Sequence, residues 1–197
     1  MANFGPAVLT AQISTGNPLT TVDLFDATKI NNNAQNDLGI AYYHKAGVTA
    51  ANPYGYWQKL RYVRYNSATN PAVLARPAVV YWTDEFKTTV SGTQADGFTG
   101  TSDDAAGILL PNSTSISTLT AALLNGNFVW ICVGGFVPGV NAPASTAVGD
   151  WLYGTSGNWT LFRIAYHVGT VTPDKYVAHA RSAVASNAAD MDIVLES

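Results

Sequence analysis

The residues able to do chemistry are few in this chain, and their spacing argues against a catalytic or metal centre. There are three histidines, His44, His167 and His179, and one cysteine, Cys132. A zinc site needs ligands that converge, commonly a close histidine pair with a third donor. These histidines are dispersed, and each reads as a surface or turn residue. Cys132 lies in the apolar run Phe128-Val129-Trp130-Ile131-Cys132-Val133 and reads as a buried small hydrophobe. Neither a G-x-S-x-G elbow nor a P-loop is present. Gly134-Gly135-Phe136-Val137-Pro138-Gly139 is glycine-rich, but no Lys-Ser or Lys-Thr follows to hold a phosphate. It reads as a bend or bulge at a strand end, where glycine relieves backbone crowding.

The carboxylates lead to the same expectation. Asp84-Glu85 and Asp103-Asp104 are adjacent pairs, and neighbours in extended chain point to opposite faces. Glycosidic acid–base chemistry needs two carboxyls facing each other roughly 5–9 Å apart. Asp190 and Asp192 share a face if extended, which makes a weak calcium candidate. The aromatic cluster Tyr54, Tyr56, Trp57, Tyr62 and Tyr65 has three readings: core packing, a subunit interface, or a platform on which sugars or bases stack. The expectation is a protein that is not an enzyme, with no catalytic, cofactor-binding or metal-binding residues and no cofactor.

The elements that would carry these residues are mostly strands. Leu60 to Tyr65 alternates apolar and basic residues, placing Leu60, Tyr62 and the stem of Arg64 on one face. Ala78 to Thr83 is β-branched and aromatic and reads as a buried strand. Asp84-Glu85 reads as a turn and Lys87 to Val90 as the returning strand. Ala106 to Leu110 is a short strand stopped by Pro111. Phe128 to Val133 is the strongest strand, with a second run at Phe136-Val137 and a turn from Gly139 to Pro143. Trp151 to Tyr153 and Trp159 to Phe162 read as a hairpin. Tyr166 to Val171 reads as a strand, Tyr176 to Val184 as a strand or a helix, and Met191 to Leu195 as the closing strand. Thr118 to Leu124 suits a short helix, capped by Ser117 or Thr118 and ended by Asn125-Gly126.

Residues 1–50 differ from the rest. They hold Gly16-Asn17-Pro18 and the polar run Asn31 to Asp37, whose short amides compete with ladder hydrogen bonds. Apart from a short strand at Ala7 to Ile13, this stretch reads as an irregular N-terminal arm or lead-in. Residues 51–197 read as the body. Short strands with turn signals every 8–12 residues predict an all-β fold, a small barrel or sandwich with at most one or two short helices.

Composition narrows the function classes. Hydrophobic residues make up 47% of the 197, and charged residues only 12%, about half the usual share of roughly 25%. So little charge means either a surface covered by Ser, Thr, Asn and Gly, as in a plain low-charge β-domain, or surface buried against other chains, and the second is a hint of assembly. Net charge is −3, and the basic residues are scattered apart from Lys59, Arg61 and Arg64, which argues against nucleic acid as a partner. No stretch reaches the ~20 apolar residues of a membrane helix. The start, Met1 to Pro6, lacks the pattern of a secretory signal. A single cysteine allows no intrachain disulfide and suits synthesis in a reducing cytoplasm. The sequons at Asn112 and Asn158 therefore carry no sugar in this reading.

The order of segments over residues 55–197 resembles the head decoration, or cement, proteins of tailed bacteriophages and related β-rich virion proteins. The resemblance rests on Arg61-Tyr62-Val63, Val79 to Asp84, Ala105 to Leu110, Gly126 to Ile131, the Gly-Asp turn in Val148 to Leu152, Ala178 to Ser182, and Asp192 to Leu195. The chain departs from the pattern around Tyr176-Val177, where a glycine is usual. The resemblance implies a β-barrel or β-tulip body bound to the outside of the capsid lattice, often as a trimer at three-fold positions, with no catalytic residues. The expected partners are the major capsid protein and further copies of the chain, in a homotrimer. The expected location is the virion exterior after synthesis in the host cytoplasm. Residues 1–50 lie outside the resemblance; they are expected either to touch the capsid or a neighbouring subunit or to pack back on their own domain. Alternatives are another virion part (tail, baseplate or head-fibre base) and a carbohydrate-binding β-module.

Overall fold

Strand-forming residues dominate wherever the chain is buried on both faces. A computed structural model describes residues 34–48, 53–65, 76–92, 105–110, 127–154, 161–163 and 177–195. Among these residues there are ten strands and no helix. They are β1 (Ala41–Ala46), β2 (Tyr56–Tyr65), β3 (Ala78–Trp82), β4 (Thr89–Ser91), β5 (Ala105–Leu109), β6 (Asn127–Asn141), β7 (Trp151–Gly154), β8 (Leu161–Arg163), β9 (Ala178–Ala180) and β10 (Ala188–Ile193). The fold is all-β, as the sequence predicts.

Five of the strands form a ring. In pairing order they run β2, β4, β3, β5 and β6, and β6 pairs back along β2 from Gln58↔Gly135 to Tyr65↔Asn127. The β2–β4 pairing is parallel and short, through Arg64↔Thr89 and Tyr65↔Val90, while the others in the ring are antiparallel. From the far half of β6 the sheet continues through β10, β9, β7 and β8. β1 lies at the other end, antiparallel to β2.

Period-two alternation divides the ring's side chains between two apolar clusters. One is drawn only from ring strands, with Val63, Tyr65, Val80, Trp82, Val90 and Ile131 among its members. The other joins Leu60, Tyr62, Tyr81, Ile108, Trp130 and Cys132 of the ring to Leu152, Ala178 and Met191 of the outer strands. β3 and β5 are therefore buried on both faces, which explains their uninterrupted apolar sequences. Tyr62 sits at the centre of the shared cluster. Its ring stacks on Phe128 at 6.1 Å and tilts against Trp130 at 4.9 Å. Its hydroxyl accepts a hydrogen bond from the Gln35 N–H at 3.1 Å.

β6 is longer than the sequence predicts. Phe128 to Val133 and Phe136-Val137 belong to one strand, which runs on through the expected Gly139 to Pro143 turn as far as Asn141. Bulges make this possible. Lys59 and Leu60 pair with Gly134 and Cys132, leaving Val133 as an extra residue, and Ala189 and Met191 pair with Val140 and Val137. The glycine-rich run is thus a bulged stretch inside a strand, so β6 can serve the ring with its first half and β10 with its second. Gly135 has φ +90°, and a Cβ there would stand 2.1 Å from the Trp57 carbonyl oxygen. Only glycine fits that close approach.

One other expectation needs correction. Ala178–Ala180 is the only strand in the described part of Tyr176 to Val184, because Arg181 and Ser182 bend away to meet β10. Arg64 has the parity of Leu60 and Tyr62, but it is exposed while they are buried. Val63 and Tyr65, on the opposite face, are buried as well. The expected strands at Ala7 to Ile13 and Tyr166 to Val171, the Thr118 to Leu124 helix and the turn after Asn66 lie outside the described residues.

Candidate functional site

The most distinctive exposed feature is built by β1 and the first half of β2. Register pairs Ala41 with Arg61, Tyr43 with Lys59, and Lys45 with Trp57. Directly opposed residues share a face of the sheet. Their face is open: Tyr43 is 65% exposed and Trp57 62%, and Tyr54, just before β2, is 81% exposed. Large aromatic side chains left this exposed on a regular sheet are characteristic of recognition surfaces.

The opposite face explains why these two strands are held firmly. His44 and Gln58 are buried there, and the Gln58 side-chain amide donates to the Phe136 carbonyl at 3.0 Å. Tyr56 packs edge-on against Phe136 at 5.0 Å. Burial raises the Tyr56 phenol above its ordinary pKa, with Cys132 and Asp190 adding to the effect. Beyond β1 the same open face of β2 turns into the ring's own cluster. At that boundary the Arg61 guanidinium lies 5.1 Å from the Trp82 ring centroid. Partial burial lowers its pKa, and the nearby Asp84 carboxylate opposes that shift.

β1 also ends the sheet. The Tyr62 N–H donates to the Ile40 carbonyl, which sets which residues of the pair are hydrogen-bonded. By alternation, Tyr42, His44 and Ala46 point their main-chain groups at β2, and Ala41, Tyr43 and Lys45 point theirs outward. Among the described residues no strand pairs with that outer edge.

The five-residue aromatic cluster of the sequence divides. Tyr62 and Tyr65 are core, Tyr56 is half-buried, and Tyr54 and Trp57 are exposed. Tyr43 and Lys45 complete the exposed set and were invisible as partners, since they fall in the lead-in stretch. Their signal was the strand-like Ala41-Tyr42-Tyr43-His44 that follows the polar run. Lys59 and Arg61 share the open face, and Arg64 lies on the other.

The histidine expectation is corrected. His44 is a buried strand residue, and His179 lies on β9 with its ring 4.8 Å from Trp151. His167 is outside the described residues. Cys132 is buried, its thiol donates to the Gly134 carbonyl at 3.2 Å, and burial pushes its pKa up to about 12. Asp190 accepts the Gly139 N–H at 3.0 Å, and Asp192 pairs with Arg181 at 3.0 Å, so each carboxylate has a structural task. Asp84 accepts the N–H of Thr88 at 2.9 Å and of Thr89 at 3.2 Å, and the Thr88 hydroxyl as well. These bonds organise the β3–β4 turn. Asp103 and Asp104 lie outside the described residues.

Comparison with protein-family models, with curated proteins and with solved structures gives no match.

Proposed function

We propose that this chain is a non-enzymatic structural protein of a tailed-phage virion, which binds the outer surface of the capsid and cements the head lattice. The observation that carries this reading is the open β1–β2 face, where Tyr43 and Trp57 stand exposed beside an end strand. Rigid aromatic residues supply large contact area at small entropy cost, which is what a docking surface needs. The low charge and the segment order over residues 55–197 support the same reading. The partners are then the major capsid protein and further copies of the chain as a homotrimer. A protein that binds only the mature lattice stabilises it by RT ln(1 + [L]/Kd) per site, without any chemistry.

Quantitative mass spectrometry of purified particles, with heads separated from tails, tests this. Hundreds of copies in the head fraction support cementing. A few copies travelling with tails would move the chain to another virion part. The exposed rings of Tyr54 and Trp57 favour one second reading, a carbohydrate-binding module. Absence from the particle together with binding on a glycan array would establish it in place of the first.

A further inference from the structure

The open face has a charge character opposite to that of the whole chain. Its six register positions on β1 and β2 are Ala41, Tyr43, Lys45, Trp57, Lys59 and Arg61. They include three cations and no carboxylate, in a chain of net charge −3. Arg61 lies over Trp82 near Asp84, which leaves Lys45 and Lys59 as the charges this face presents. Alongside runs the outer edge of β1, with the main-chain groups of Ala41, Tyr43 and Lys45 directed outward. Natural sheets shield such edges with lysine or a covering segment, and the same edges accept an added strand from a partner.

We infer that this edge and face receive an extended, acidic segment of a partner protein, which adds to the sheet beside β1. The segment's alternate side chains fall on the open face, next to Tyr43 and Lys45. Acidic residues at those positions meet Lys45 directly and Lys59 one strand further in. The main-chain ladder supplies affinity, and the charge pattern selects the partner. An uncharged or basic strand gains the ladder but leaves the lysines without complement. This deepens the virion reading and rests on it for the partner's identity, since it assigns the acidic strand to the capsid surface.

The test uses the full chain and two fluorescein-labelled peptides of twelve residues, read by fluorescence anisotropy at low and physiological salt. One peptide alternates Glu with Thr and Val, and the other carries Lys in place of Glu. The Glu peptide should bind the native chain at least tenfold more tightly than the Lys peptide, with affinity falling as salt rises. The variant Lys45→Glu with Lys59→Glu should reverse that preference. Adding Ala41→Pro to the reversed variant should remove that Lys-peptide binding, which separates a folded edge from general attraction to a more acidic chain. Ala41→Pro, at the first residue of an edge strand, removes one outward N–H and should weaken the Glu peptide severalfold. Equal binding of the two peptides, no binding of either, or a preference unchanged in the charge-reversed variant would overturn the inference. So would displacement of the Glu peptide by an acidic oligosaccharide or oligothymidylate at lower concentration than by unlabelled peptide. No phage particle enters this experiment, so its failure leaves the copy-number result for heads standing. Absence of the chain from heads would remove the virion reading while leaving the measured peptide preference in place.

Discussion

Lys45 on β1 stands directly opposite Trp57 on β2, with both side chains on the open face of the sheet. The pair is formed by residues twelve positions apart, joined by a connection that includes Gly47 and Gly55, both at positive φ. Its neighbour is the pair Tyr43 and Lys59. Aromatic and cationic residues therefore alternate across both strands, on a surface whose reverse side is fixed to β6 through Gln58 and Tyr56.

Trp57→Ala separates docking from stability. The side chain is largely exposed, so folding free energy should change by no more than about 0.5 kcal/mol. Truncating a central aromatic anchor in an interface costs about 2 kcal/mol or more, roughly thirtyfold in affinity. Urea denaturation should give a midpoint close to the native chain's, while co-sedimentation with heads lacking the protein should fall steeply. Unchanged co-sedimentation would remove Trp57 from the contact.

Gly135 and Gly139 offer an internal comparison within β6. Both have positive φ, but a Cβ at Gly135 meets the Trp57 carbonyl oxygen at 2.1 Å, whereas one at Gly139 meets nothing within 4 Å. Gly139→Ala should cost about 1 kcal/mol, the conformational penalty alone. Gly135→Ala forces β2 and β6 apart and should cost about 3 kcal/mol or more. Thermal unfolding of the two variants should show the order plainly, and equal losses would contradict the bulge geometry.

Cys132 should be chemically silent in the folded chain. With the thiol held at about 12, roughly one in ten thousand is ionised at pH 8, and the sulfur is buried. Iodoacetamide should label it only in denaturant, as read by intact mass. The native state holds this proton more tightly than the unfolded chain does. Its contribution is therefore complete below the unfolded thiol's ordinary value of 9.0 and is lost as pH climbs toward about 12. Cys132→Ala should flatten that alkaline decline.

Asp84 should give the opposite pH signature. Burial acts to raise its pKa, but the hydrogen bonds from Thr88 and Thr89 outweigh it and hold the carboxyl below its ordinary value. The native state then favours the ionised form. The stability this adds is present above the unfolded carboxyl's pKa and is lost as pH falls through the lower, folded value. Asp84→Asn should be less stable than the native chain at pH 7, by about 1 kcal/mol, the scale on which charge-assisted hydrogen bonds exceed neutral ones. The gap should close toward acid pH, as followed by denaturant titration at stepped pH.

Much of the fold was legible from local pattern. Ala78-Val79-Val80-Tyr81-Trp82 favours a strand, since it is apolar throughout and, after Ala78, β-branched or aromatic. The Asp84 turn, the β5 segment and the β7–β8 pairing follow from similarly short-range cues. β6 was harder, because glycine and proline are local stop signals. The strand continues through Gly134, Gly135, Pro138 and Gly139 because partners on both edges, β2 and then β10, absorb the extra residues as bulges. That information lies in residues far away in sequence.

The candidate site divides in the same way. Alternation along Tyr56 to Tyr65 says that two faces exist, but not which one meets water, since each face mixes apolar residues with polar or basic ones. Burial of Tyr62 and exposure of Trp57 depend on where β2 leaves the ring and begins to pair with β1. What the sequence determined by itself was the strand content and the burial of Cys132. These rest on side-chain type and period, which are local. Tertiary structure alone decided the closing of the ring through β2 and β6, the burial of His44, and the meeting of Tyr43 and Lys45 with Trp57 and Lys59. Each of those depends on strand register, which is set by packing between distant segments.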